Sequence, residues 1–93
     1  MFVKLLTVDL FIPGCSSLKD KRMVMSSLKA RLRRKFNVSV AEVNYHNKWQ
    51  RSQLAIVTVG VDRATVDAGC EMAARFIEYE RRVEITDIYQ EYF

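Results

Sequence analysis

Apolar residues crowd the first dozen positions of the chain. Phe2 to Ile12 (FVKLLTVDLFI) is rich in leucine, β-branched and aromatic residues, carries only Lys4 and Asp9 as charges, and stops at Pro13-Gly14. That pattern predicts a central strand closed by a turn. Ser16 or Ser17 then offers a side-chain oxygen to the orphan N–H groups of a first helical turn. From Leu18 to about Phe36 the period changes. Met25, Leu28, Leu32 and Phe36 recur at helical spacing, Leu18 and Val24 widen their stripe, and Asn37 supplies a stop.

Val38 to Asn44 alternates and predicts a second strand. Tyr45 to Gln53 is polar apart from its aromatics and predicts a hairpin loop. Leu54 to Val61 (LAIVTVGV) predicts an interior third strand. Asp62 is placed to cap a second helix reaching about Tyr79, with Val66, Cys70, Ala73 and Ile77 as its apolar stripe and Gly69 and Ala74 beside it. Arg82 to Tyr92 predicts the last strand.

The order β-α-β-β-α-β, with right-handed crossovers, predicts an α+β fold: a ferredoxin-like βαββαβ sandwich. Two helices should cover one face of a four-stranded antiparallel sheet, with the first and third strands central. The other face is left open. Because both central strands are apolar on two sides, a partner or a second copy is expected to cover that face in a symmetric dimer. Val3 and Leu5 are candidates for it, and sequence leaves open which parity points outward.

Composition sharpens this reading. With 93 residues, 49% apolar and 28% charged, the chain predicts a single domain over residues 1–93 rather than a disordered segment. Cys15 and Cys70 match no C-x-x-C pattern, which points to reduced thiols and a cytoplasmic protein. With His46 as its one histidine, the chain lacks the ligands of a structural zinc site, so no metal and no cofactor are expected. Met1 to Cys15 faintly resembles a lipoprotein signal, but Asp9 breaks the apolar run and a strand followed by a Pro-Gly turn explains the same letters. No apolar run reaches membrane-spanning length, so no membrane partner is expected.

The net charge of +4 is unevenly spread. Lys19, Lys21, Arg22, Lys29, Arg31, Arg33, Arg34 and Lys35 crowd the first helix against Asp20 alone, whereas acids outnumber cations after Val61. Arg22, Ser26, Lys29 and Arg33, flanked by Lys19, form a stripe expected opposite the apolar face. Arg34 and Arg31 sit further round, and Lys21 and Lys35 are expected to snorkel from the core edge. A solvated face is the default for such a helix. Yet unpaired like charges repel at these spacings, and a phosphate backbone would supply the missing counter-charge. The loop from Tyr45 to Arg51 adds Trp49 and Arg51 among amides and cations, a composition suited to stacking on an unpaired base. The alternative for Trp49 is a lid folded onto the sheet edge.

Catalytic signals are weak. His46 has no evident orienting partner. Ser16 and Ser17 lie in no G-x-S-x-G and read as caps. Cys15, beside a helix N-terminus, has the position of a reactive thiol of lowered pKa. No phosphate-binding Arg loop follows the first strand, no P-loop is present, and the third strand lacks the aromatics of an RNA-recognition sheet.

Ser17-Leu18-Lys19-Asp20-Lys21-Arg22, Arg31-Leu32-Arg33, Phe36 to Val43 and Trp49-Gln50-Arg51 together resemble the YlxP-like bacterial family, a domain of unknown function, across essentially the whole chain. The resemblance implies a ferredoxin-like fold and a bacterial cytoplasmic protein. It also implies genes near translation and ribosome maturation, beside a ribosome-binding factor. Many members carry an Asp shortly before Trp-Gln-Arg; here His46-Asn47-Lys48 stands instead. The resulting expectation is a non-enzymatic RNA- or ribosome-associated module. Its candidate RNA-binding residues are Lys19, Arg22, Lys29, Arg33, Arg34, Trp49 and Arg51. The alternative is a protein-interaction or homodimerisation domain that uses the open sheet face.

Overall fold

A computed structural model describes all 93 residues. Its elements are β1 (Phe2–Phe11), α1 (Leu18–Lys35), β2 (Ser39–Asn44), β3 (Arg51–Gly60), α2 (Arg63–Glu78) and β4 (Glu84–Tyr92). The strands form one sheet in the order β2-β3-β1-β4, and each neighbouring pair is antiparallel. Both helices pack on this sheet, so the fold is the ferredoxin-like α+β sandwich, with β1 and β3 central as their double-sided apolarity requires.

Side chains alternate across a strand, and the burial pattern settles the parity. Lys4, Leu6, Val8, Leu10 and Ile12 face the helices from β1 and its end, while Ser52, Leu54, Ile56 and Thr58 face them from β3. The apolar members of this set, Leu6, Val8, Leu10, Ile12, Leu54 and Ile56, meet Met25, Leu28 and Leu32 of α1 and Cys70, Ala73 and Ile77 of α2 in one core cluster. Full burial of a Leu or Ile side chain contributes about 1.5–3 kcal/mol, so this layer dominates the fold's stability. Lys4 is tolerated there because its Nζ lies 2.8 Å from Asp67 of α2.

The opposite parity, Val3, Leu5, Thr7 and Phe11 with Ala55, Val57 and Val59, lies on the open face. Asp9 shares that parity yet is buried, its Oδ1 accepting from Gln53 Nε2 at 2.7 Å. The β1–β4 register slips beside it, where Thr86 Oγ1 donates to the Asp9 carbonyl.

The helix starts follow their caps. Ser17 Oγ accepts from Asp20 N at 3.1 Å, and Asp20 Oδ2 accepts in return from N and Oγ of Ser16, the residue before the cap, so the acid and the cap brace each other. Asp62 Oδ1 accepts from Thr65 N at 2.8 Å and starts α2. Three boundaries differ from expectation. α1 stops at an extended Phe36 rather than through a left-handed Asn37. β3 begins at Arg51, inside the expected loop, because the backbone of Phe11 and Leu10 pairs with Arg51 and Ser52. β4 begins at Glu84 because Arg82 instead turns to enclose Glu80, its backbone N and Nε both donating to Oε2. No helix is long and apolar enough to cross a membrane.

Candidate nucleic-acid interface

The buried face of α1 is Lys21, Met25, Leu28 and Leu32. At about 100° per residue, the stripe of Arg22, Ser26, Lys29 and Arg33 centres roughly 100° from that face, so it is lateral rather than opposite. Met23, Ala30 and Arg34 lie furthest from the sheet. The stripe overhangs the β2 side, where Arg33 Nη2 donates to the Val40 carbonyl at 2.6 Å. The other flank of α1 carries Arg31 and Lys35 and faces α2, where both cations lie over the Phe76 ring. The helix therefore has two cationic flanks. Lys19, Arg22, Lys29, Arg33 and Arg34 all lack a carboxylate partner; the only ion pairs made by α1 are those of Lys21 and Arg31.

Lys21 does not snorkel. It is 2% exposed, and its Nζ donates to the Tyr45 carbonyl at 2.7 Å and the Arg51 carbonyl at 3.1 Å, with Glu42 Oε2 at 3.1 Å. An ammonium has three donors, and each finds an oxygen. Ser52 Oγ completes the Glu42 carboxylate at 2.5 Å. Sequence reasoning missed this site because a lysine between leucine-bearing turns reads as an amphipathic edge. The signal available was Glu42, an acid in the middle of an otherwise uncharged strand.

The consequence is a fixed loop. Between β2 and β3, residues 45–50 are anchored from below by Lys21, and Gln50 Nε2 donates to the Pro13 and Cys15 carbonyls at 3.1 and 3.3 Å. Tyr45 turns the chain with a left-handed φ of 63°, a conformation costly for a bulky side chain and held here by these contacts. Arg51 lies over the Tyr45 ring, 4.0 Å from its centroid. Trp49 is no lid on the sheet edge: it stands 54% exposed. Together with Asn47, Lys48, Gln50 and Arg51 it lines a shallow depression of about 350 Å³. Since Lys21 adjoins Arg22 in α1, loop and stripe meet at the N-terminal end of the helix.

Cys15 departs from expectation. It is buried, and its thiol is pushed up rather than down, first by burial and then by the Asp20 carboxylate, with Lys21 and Arg82 opposing. Burial also raises the Cys70 thiol. Both thiols should therefore react slowly with iodoacetamide at neutral pH and rapidly in urea; a fast single-site reaction of the native protein, mapped by mass spectrometry to Cys15, would contradict this.

Fold and site together define a small ferredoxin-like sandwich with a lateral cationic helix flank and an anchored loop that presents an indole. The chain belongs to the family described as Protein of unknown function (DUF503), matched over residues 3–90. It is 32% identical over 85 residues to the Uncharacterized protein YlxP of Bacillus subtilis (strain 168), spanning 91% of this chain and 92% of that one. Protein SO0527 from Shewanella oneidensis, known from a crystal structure, aligns over 97% of this chain and 88% of its own with 14% identity and a TM-score of 0.46.

Proposed function

We propose that this protein is a non-enzymatic RNA-binding module that grips the phosphate backbone with the stripe of α1 and stacks an unpaired base on Trp49. The observation carrying this reading is the exposed Trp49 on a backbone clamped by buried Lys21, next to cations without partners. An indole more than half exposed on an anchored loop offers its face to a base, and a preorganised stacking surface loses little entropy on binding. Ribosomal RNA is the first substrate to try, in keeping with the family's implied neighbourhood.

Fluorescence anisotropy of dye-labelled RNA tests this directly and still reads the variant that lacks Trp49, the only tryptophan. Lys19, Arg22 and Lys29 suit charge reversal better than Arg33, which also holds the Val40 carbonyl. If these three each neutralise a phosphate, log K against log salt should fall with a slope of about −2 on single strands. Reversing all three to Glu should flatten the slope and weaken every RNA alike. Trp49→Ala should cost roughly 1–3 kcal/mol of binding while leaving the slope unchanged. Because the indole is more than half exposed, its loss should lower the melting temperature far less than loss of Lys21 does. A wild-type protein that binds no ribosomal RNA fragment at low salt ends this reading.

A second reading, a homodimer or protein-docking domain, draws on the open sheet face, where Val43, Val57 and Val59 are 49%, 36% and 47% exposed. Sedimentation that shows only monomer at high micromolar concentration counts against it.

A further inference from the structure

The flank of α1 that faces away from the proposed RNA stripe borders a groove of about 860 Å³ along the seam between α1 and α2. Its floor is apolar: Phe36 and Phe76 meet edge to face, with ring centroids 5.8 Å apart. Met72 of α2 and Tyr79 just past its end rise beside them, 54% and 86% exposed. The rim is cationic. Arg31 and Lys35 come from α1, and Arg81 and Arg82 from the turn after α2. Glu80 is the only acid among the lining residues, and its carboxylate is already enclosed by Arg31 and Arg82. Lys35 and Arg81 make no ion pair. Arg75 is held by Glu71 at 2.7 Å and adds no free charge.

We infer that this groove binds an acidic, amphipathic protein segment, which sets one large apolar side chain on the Phe36–Phe76–Met72 floor and its carboxylates against Lys35 and Arg81. Charge complementarity selects the partner's sign. The floor selects a polypeptide over a nucleic acid. Phe36, Phe76 and Met72 make it hydrocarbon and thioether, an adaptable surface for aliphatic side chains, and Arg31 and Lys35 already lie over the Phe76 ring where a base would stack. The seam also lies across α1 from the stripe, so this inference stands or falls apart from the RNA reading. Along α2 the groove runs from Met72 to the helix end at Glu78, roughly 9 Å at the helical rise, room for a short segment rather than a whole domain.

The probe is a synthetic peptide of alternating glutamate and leucine with a central phenylalanine, titrated into methyl-labelled protein. The Met72 methyl resonance should shift, while that of Met1, which precedes β1 and lines no part of the groove, should not. Lys35→Glu with Arg81→Glu should weaken the peptide about tenfold. Glu reversal of Lys19, Arg22 and Lys29 should leave it unchanged. Lys35 and Arg81 are both exposed, so the double variant should fold, and its melting curve checks this. The inference is overturned if Met72 stays silent, if a glutamate-only peptide binds as well, or if single-stranded RNA displaces the peptide from the groove. Concentration-dependent self-association that shifts Met72 without peptide would overturn it too, by making a second copy the occupant.

Discussion

Replacing Lys21 with methionine should destabilise the protein by about 3–5 kcal/mol, the usual consequence of removing one partner from a buried ion pair. The ammonium is 2% exposed and its side chain meets Glu42, itself only 16% exposed. Methionine fills nearly the same space but donates nothing. Glu42 would keep Ser52 Oγ as its one hydrogen-bond donor, the Arg51 carbonyl would lose the Lys21 ammonium, and the Tyr45 carbonyl would be left with the Lys48 N–H alone. For a domain of this size, such a loss lowers the melting temperature by roughly 12–40 °C. Adding Glu42→Leu should recover much of the stability, because an apolar pair of similar volume can match a buried ion pair. It should not restore the loop. Residues 45–50 would still lack their anchor, so amide exchange there should stay fast and Trp49 should lose its rigid presentation. Urea melts of the two single variants and the double variant measure the coupling. Additive effects would show that Lys21 and Glu42 act separately.

The fold was legible because period and punctuation agree. β1 and β3 are apolar on both sides and bounded by turns; Ser17 and Asp62 cap where their side chains predict; and the helical stripes hold Met25, Leu28, Leu32, Val66, Cys70 and Ile77 as expected. Residue type alone was less informative where a contact comes from a distant element. Arg51 reads as loop until β1 is laid beside it, and Arg82 reads as strand until Glu80 bends the chain around it. The candidate interface was half legible. Its cations and Trp49 were visible as composition, but the position of the stripe on the flank depends on which side of α1 the sheet occupies. The groove was invisible, because Phe36, Phe76 and Arg81 belong to three different segments that only tertiary packing unites. Arg31 and Lys35 therefore serve a different surface from Lys29 and Arg33, although all four belong to one basic run.

The second large effect should appear in acid. Hydrogen bonds from the Arg82 side chain, with its backbone N–H and Arg31 adding to them against the cost of burial, hold the Glu80 carboxyl down to about 2 from an ordinary 4.5. A carboxyl whose folded pKa is depressed binds fewer protons in the native state than in the unfolded chain. Its stabilisation is therefore complete above the ordinary pKa and disappears as pH falls from about 4.5 towards 2. Glu80 is only 7% exposed, but Arg31 and Arg82 are 33% and 47% exposed, and water screens them. The contribution at neutral pH should thus be about 2 kcal/mol, less than the full shift implies. Glu80→Gln keeps the shape and removes the charge. It should lose about that amount at pH 7, a drop of roughly 8–16 °C in melting temperature, and the two proteins should converge as the pH approaches 2. Urea melts of the pair across this range supply the comparison. Asp20, Asp62 and Asp67 are also held low by their hydrogen bonds, but they are common to both proteins and cancel in the difference. A gap that stays constant from neutral pH into acid would mean that Glu80 acts through packing alone. A gap that closes would identify its charge as the tie between α1 and the turn that carries Arg81 and Arg82.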